Sequence, residues 1–425
     1  MNIKLLWLFL SLLFIGCAPK HPKTVVTLPS QDIAVYLKDY NGDKHFEKEG
    51  YTTNYFRSFR YAKAPLDVAR ALWPYSSYTK GTMYGATLQK IAPSFFADMY
   101  NYSNFENYDT LRRYALSNKA ASMRNFPSDK PLFRDPKRAG EGYPFDYNQN
   151  TLIRPMEPLY LSHYSKDGAW VFAFSSYAAG WLRASDVKTV TREDVERLLH
   201  AQSLFVVKDD LALFDVSGRY VNGVGVGVLL PIVKEQKNSY LVLLLDGTSR
   251  YRVAEIAKDA VAYKPLALNR ENMRRIIEEL QSKPYGWGGM YGDRDCSSML
   301  RDLYVPFGIY LPRNSAAQAR SGKVVSLAGL SEKQKIEKIK KEAIPFETLL
   351  YKKGHIMLYL GVVNGRVMVF HDMWGVKTRK NGEEGRYIIA KSVVTPLRIA
   401  YKTGACEKRY DMLRQLQSFV IVTAK

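Results

Sequence analysis

Cysteine is scarce in this chain: three residues among 425, at positions 17, 296 and 406. That excludes a disulfide scaffold, and no Cys-x-x-Cys or His-x-x-x-His spacing offers a close pair of metal ligands. Histidine is nearly as rare, with six residues, so chemistry built on an imidazole has few places to sit. Acidic residues are in deficit, 41 Asp and Glu against 62 Lys and Arg, for a formal charge of +21. Such a surface predicts a polyanionic neighbour, either nucleic acid or an anionic membrane or wall, and charge alone does not choose. What is present is core material. With 46% hydrophobic and 24% charged residues, the composition excludes disorder and fits two to four globular domains.

The first residues set the compartment. A short basic start ends at Lys4, and Leu5 to Gly16 is apolar apart from Ser11. Twelve helical residues rise about 18 Å, short of a roughly 30 Å hydrocarbon core, so residues 1–17 read as a secretory signal. Phe14-Ile-Gly-Cys17 resembles a bacterial lipoprotein cleavage box. The resemblance implies lipidation of Cys17, a membrane anchor facing the periplasm and, with Ala18 rather than Asp next, the outer membrane rather than the inner. A plain secreted signal is the alternative. Export removes nucleic acid as a partner.

Residues 18–31, with prolines, lysines and threonines, read as a tether. Residues 32–142 read as a helical N-terminal domain, on apolar spacing at Leu66 to Leu72 and Leu88 to Met99. From residue 143 the texture changes to short strands split by turns. Residues 143–198 read as one small β-barrel and 199–263 as a second, with Gly223 to Leu230 as a strand and a turn at Asp246-Gly247. Residues 264–425 form the last domain. It opens on a helix capped by Asn269, with Met273, Ile276, Ile277 and Leu280 on one face. Ser331 to Gln334 reads as a capping box opening a charged, solvated helix.

One segment carries chemistry. Pro284-Tyr-Gly-Trp-Gly-Gly-Met-Tyr-Gly-Asp-Arg-Asp-Cys-Ser-Ser298 is a glycine-rich loop that runs into a helix through Met299, Leu300 and Leu303. Cys296 at a helix start meets free N–H groups that favour a thiolate, the condition for a nucleophile. His355 opens one strand pattern and His371 closes the next, giving a nucleophile, a base and an orienting group. The two histidines are sixteen apart, so a two-residue Asn364-Gly365 turn alone would put them on opposite faces. An odd loop, Gly361 to Gly365, or a bulge is therefore expected, with the histidines directly opposite each other.

Tyr285-Gly-Trp-Gly-Gly, Asp295-Cys-Ser, Pro312-Arg-Asn-Ser315, Gly354-His355 and Phe370-His371 resemble the NlpC family of papain-like cell-wall cysteine peptidases. The helical region and two SH3-like barrels upstream resemble a subgroup of it. The implied fold class is multidomain α+β, a helical N-terminal cap and two SH3-like barrels before a papain-like α+β catalytic domain. The resemblance implies Cys296 as nucleophile, His355 as base, His371 as the orienting residue and Tyr285 at the oxyanion. It also implies Asp295 at the free amino end of the substrate, Ser297 and Ser315 at its D-glutamate, and Tyr177 from the first barrel at the cleft. The implied reaction is hydrolysis of the γ-D-glutamyl–diamino acid bond in peptidoglycan peptides, with no cofactor and no metal, by a monomer. The alternatives are amidase or acyl-transfer chemistry on the same scaffold, and a non-catalytic wall-binding lipoprotein. Cys406 reads as structural.

Overall fold

The computed structural model describes residues 24–138, 140–380, 383–403 and 406–424; Cys17 lies outside them. It is a multidomain α+β protein, with a helical N-terminal region, β domains of SH3 type and a C-terminal α+β domain. Among the described residues, no helix is long and apolar enough to cross a membrane.

The N-terminal region is divided between its neighbours. Ile33, Tyr36, Leu37 and Tyr40 belong to the core of the C-terminal domain, whereas Tyr51, Tyr55, Phe56 and Phe59 pack into that of the second β domain. Two expectations change here. The segment read as a tether already contains a strand, Thr24–Val26, paired antiparallel with Arg398–Thr403. The β structure also starts before residue 143: Arg113–Ser117 and Ala121–Arg124 are strands of the first seven-stranded sheet. Strands this short show too few alternations to stand out in a Tyr- and Asn-rich stretch, yet Ala115, Ala121 and Met123 are fully buried against Ile153 and Leu159.

In the second β domain the Gly-Val run is not one strand. Tyr220–Val224 and Leu229–Glu235 are separate, because Gly227 takes φ +95° and the Val226 N–H turns to Asp209 Oδ1 at 3.0 Å. The turn at Asp246 forms, with Oδ1 accepting from the Thr248 and Arg250 amides.

The C-terminal domain packs helices Arg270–Leu280 and Cys296–Tyr304 on a six-stranded antiparallel sheet. Its strand order is Lys323–Ser326, Leu416–Ile421, Thr348–Lys352, His355–Val363, Arg366–Lys380 and Glu383–Pro396. Asn269 caps the first helix and Met273, Ile276, Ile277 and Leu280 are buried. Met299, Leu300 and Leu303 of the second helix share one core with Ile356, Leu358 and Phe370 of the sheet, which fixes the start of the helix beside the sheet.

Charge fixes the β domains to this helix. Arg294, just ahead of it, holds both oxygens of Asp209 at 2.8 Å and Asp302 at 2.8 Å. Arg154 of the first β domain reaches the same Asp302. All of these side chains are shielded from water, where removing one partner costs about 3–5 kcal/mol. Arg301 lies 3.8 Å above the Tyr177 ring.

Candidate active site

Asp295 starts the nucleophile helix. Its Oδ1 accepts the Ser297 and Ser298 amides at 3.1 and 2.9 Å, and Ser298 Oγ accepts the Asp295 amide at 2.8 Å. This reciprocal cap makes Cys296 the first helical residue. The loop before it needs its glycines: Gly289 has φ +83° and a Cβ there would lie 2.4 Å from the Leu152 side chain. That closeness lets the first β domain dock, with Gln149 Nε2 on the Gly288 carbonyl at 2.9 Å and Trp287 Nε1 on the Asp146 carbonyl at 2.9 Å.

On the sheet side, the His355 strand meets the next in a hairpin closed by a two-residue Asn364-Gly365 turn, with both residues at positive φ. The odd loop is not what corrects the parity. The register shifts between Tyr359 and Gly361, so the bulge falls at Leu360, one residue ahead of the predicted loop, and Val362 and Val363 stay paired in the ladder. Leu358 faces Phe370, which makes His371 a diagonal neighbour of His355 rather than its direct partner. Their rings still meet: His355 Nε2 lies 2.7 Å from His371 Nδ1, and His371 Nε2 lies 2.9 Å from Thr395 Oγ1.

A cavity of about 810 Å³ runs between the first β domain and the C-terminal domain. Tyr177, Tyr285, Asp295, Cys296, Ser297, Ser315 and His355 all line it, while His371 lies behind His355, fully buried. Cys296 keeps 8% of its surface and lines the cavity.

The electrostatics of the nucleophile differ from the expectation. Burial and the neighbouring Asp295 carboxylate push the Cys296 thiol up to about 12, against the pull of the Ile356 N–H and Arg313. Helix N–H groups do not outweigh a buried carboxylate in the cap position. Burial lowers His355 well below its ordinary value, helped by His371 and Lys352, and takes His371 down to about 3. Both shifts run toward the neutral forms, thiol at Cys296 and imidazole at His355. Tyr285 stays protonated, its hydroxyl pushed up by burial and by Cys296 and Asp295.

Asp295 is already fully engaged. Arg313 grips it in a fork, at 3.0 Å to Oδ1 and 2.7 Å to Oδ2, and holds it below the usual carboxylate range despite burial. Ser297 Oγ donates to Asp295 Oδ1 at 3.1 Å and accepts from Arg313 at 2.9 Å. Ser315 is the first residue of the short helix Ser315–Gln318. The Tyr177 hydroxyl donates to the Leu152 carbonyl at 3.0 Å.

Arg313, Thr395 and Lys352 are the residues that sequence reasoning passed over. Arg313 had a signal, since it stands inside the Pro312-Arg-Asn-Ser315 motif. Thr395 and Lys352 had none, because their places depend on the register of other strands. Among the described residues, no group of three or more His, Cys, Asp or Glu side chains is placed to hold a metal ion.

The chain is similar to known proteins in its domains and its fold. Residues 282–392 match the NlpC/P60 family model, residues 131–183 the SH3 domain of SH3b1 type, and residues 6–108 the N-terminal NLPC_P60 stabilising domain. No curated protein matches the chain. Among solved structures, an NlpC/P60 endopeptidase from Photobacterium damselae subsp. piscicida aligns at 22% identity over 95% of this chain and 99% of its own, with a TM-score of 0.79. An NlpC/P60 family protein from Bacillus cereus aligns at 16% identity over 72% of this chain and 98% of its own, with a TM-score of 0.49. The chain therefore carries a C-terminal domain of the NlpC/P60 family behind an N-terminal stabilising domain and an SH3b1-type domain.

Proposed function

We propose that this protein is a cysteine endopeptidase that hydrolyses peptidoglycan stem peptides between γ-D-glutamate and the following diamino acid. The observation that carries this reading is the opening of Cys296 and His355 onto one cavity, with His371 and Thr395 in line behind the imidazole. The relative from Photobacterium damselae is described as an endopeptidase, which supports the same class of reaction.

The hydrogen bonds suit a base at His355 Nδ1. With Thr395 Oγ1 accepting from His371 Nε2–H, His371 Nδ1 is a lone pair that accepts from His355 Nε2–H. That leaves the Nδ1 lone pair of His355 for the thiol proton. Because the neutral pair is favoured at rest, proton transfer accompanies attack of sulfur on the carbonyl carbon rather than preceding it. The Tyr285 hydroxyl and backbone N–H groups stabilise the oxyanion. Collapse breaks the C–N bond, His355 returns its proton to the leaving amine, and a thioester on Cys296 remains. Water then adds to the thioester, giving up its proton to His355, and the thiol is regenerated with a free carboxylate product. These steps call on no metal or organic cofactor.

Lipidation of Cys17 would hold the enzyme on the periplasmic side of the outer membrane, within reach of the wall. The formal charge of +21 favours approach to that anionic polymer.

The test is digestion of crosslinked wall and of free muropeptides by the native chain and by Cys296→Ala, read by mass spectrometry. Products with a new D-glutamate carboxyl and a new diamino-acid amine, absent with Cys296→Ala, are expected. Cleavage at another amide, or transfer to an added amine, would replace this reaction with amidase or acyl-transfer chemistry. Wall binding with no product from either protein would make the chain a binding protein.

A further inference from the structure

A second cavity, of about 230 Å³, lies in the C-terminal domain and shares no lining residue with the catalytic cleft. Its wall is apolar at Ile336, Val367, Leu397 and Leu413 and basic at Arg366, Arg398 and Arg409, and no carboxylate lines it. Strand register places two of the arginines. In the hairpin of Arg398–Thr403 and Cys406–Asp411, Arg398 faces Asp411 and Ala400 faces Arg409, so these four residues stand on one face. Arg366 comes from another hairpin, directly after the Asn364-Gly365 turn.

The three cations are not equivalent. Arg398 is already neutralised, with Asp411 at 3.0 Å and Glu332 on its other nitrogen. Arg366 and Arg409 are exposed, and among the described residues no acidic side chain pairs with either. Two free guanidinium groups beside an apolar wall suit a phosphate ester: the fork of N–H donors fits phosphate oxygens, and the wall accepts the carbon skeleton. The volume falls below the roughly 300–1,000 Å³ of sites for drug-sized ligands, which fits a headgroup rather than a stem peptide.

Location selects the source of the phosphate. The strand Thr24–Val26 pairs along Arg398–Thr403, with Thr24 opposite Thr403. Thr403 and Ala400 are three residues apart, about 10 Å along the strand. Only six residues separate Cys17 from Thr24, a reach of at most about 25 Å. With Cys17 lipidated, as its cleavage box implies, this end of the molecule is tied to the bilayer surface and brings the cavity there.

We propose that Arg366 and Arg409 bind the phosphate of an anionic phospholipid headgroup, with the apolar wall of the cavity against its glycerol, so that the protein docks on the membrane that anchors it. This goes beyond the peptidase reading and does not depend on it. The choice of membrane lipid over a free phosphate ester rests on the lipidation reading of Cys17.

The test is co-sedimentation of the full chain carrying Cys17→Ser, so that no acyl chain masks the difference, with two kinds of vesicle. One is phosphatidylcholine alone and the other is phosphatidylcholine mixed with phosphatidylglycerol. Tighter binding to the mixed vesicles is expected. Arg366→Gln with Arg409→Gln should weaken it at least ~20-fold, at about 5-fold for each arginine near an anionic surface. The charge-matched pair Lys234→Gln with Lys237→Gln, exposed in the second β domain, should weaken it less than ~2-fold, being distant and screened. Either single arginine variant gives the same reading where the double variant does not fold. Equal losses in the two pairs would mean that the general field of a +21 chain does the binding, and would overturn the site. Equal binding to the two kinds of vesicle would overturn it as well. Binding of sn-glycerol 3-phosphate in solution as tight as binding to the mixed vesicles, and lost in the arginine variants, would make the cavity a site for a free phosphate ester and contradict docking on the membrane.

Discussion

On the helix side of the cleft Asp295 and Arg313 are an ion pair and both buried, whereas on the sheet side the half-buried His355 and the buried His371 are both shifted toward the neutral form. The ion pair is assembled from residues that also cap a helix and touch the first β domain, since Arg313 Nε reaches Thr151 Oγ1 at 2.5 Å. The histidine chain is made within one sheet. Two solutions to burying polar groups thus meet at one sulfur: full charge with a fork of hydrogen bonds, or no charge with a directed proton. The first secures position and the second keeps a base available.

Removing Arg313 should produce the largest effect. Arg313→Met leaves Asp295 charged, buried and unpaired, at a cost of about 3–5 kcal/mol in denaturant unfolding. The double variant Asp295→Asn with Arg313→Met should cost less than Arg313→Met alone; an equal or greater loss would mean that packing, not charge, sets the value. Acid separates the two halves. The histidine pKa values are lowered on folding, so their contribution is complete above the unfolded value near 6.5 and declines as pH falls toward the folded one. The expected slope is about 1.4 kcal/mol per pH unit for each histidine, flattened in His371→Asn. Asp295, lowered on folding, holds its contribution until pH falls below the ordinary carboxylate range near 3.9. Unfolding midpoints unchanged between pH 6 and 4.5 would contradict the neutral pair.

The hydroxyl behind the histidines is a milder probe. Thr395→Val removes the acceptor for His371 Nε2–H, and kcat should fall about 10- to 100-fold with little change in KM. Thr395→Ser should retain activity. Equal loss in both would point to packing at the methyl group rather than to the proton chain. Smallest is Ser298→Gly, which removes half of the reciprocal helix cap; about 1 kcal/mol of stability should be lost, with turnover kept.

Much of the helix side was legible in the sequence, because Asp-Cys-Ser followed by helical spacing encodes a cap and a first turn locally. Parity alone required a bulge or an odd loop between the histidines, and a bulge at Leu360 was found. The rest depends on distance along the chain. Thr395 meets His371 across twenty-four positions, and a one-residue change of register would remove it. The thiol shift runs against the helix terminus for a similar reason: the terminus is visible in sequence, the burial of Asp295 beside the sulfur is not. The strands at Arg113–Ser117 and Ala121–Arg124 were too short to show a period.

The proposed reaction depends on acylation of Cys296 with His355 as the base. Rapid acid quench of the protein with a γ-D-glutamyl–diamino acid peptide, followed by peptide mapping, tests it directly. A thioester on Cys296 is expected in the native chain, none in Cys296→Ala and a much slower one in His355→Asn. Hydrolysis that continues undiminished in Cys296→Ala would contradict it.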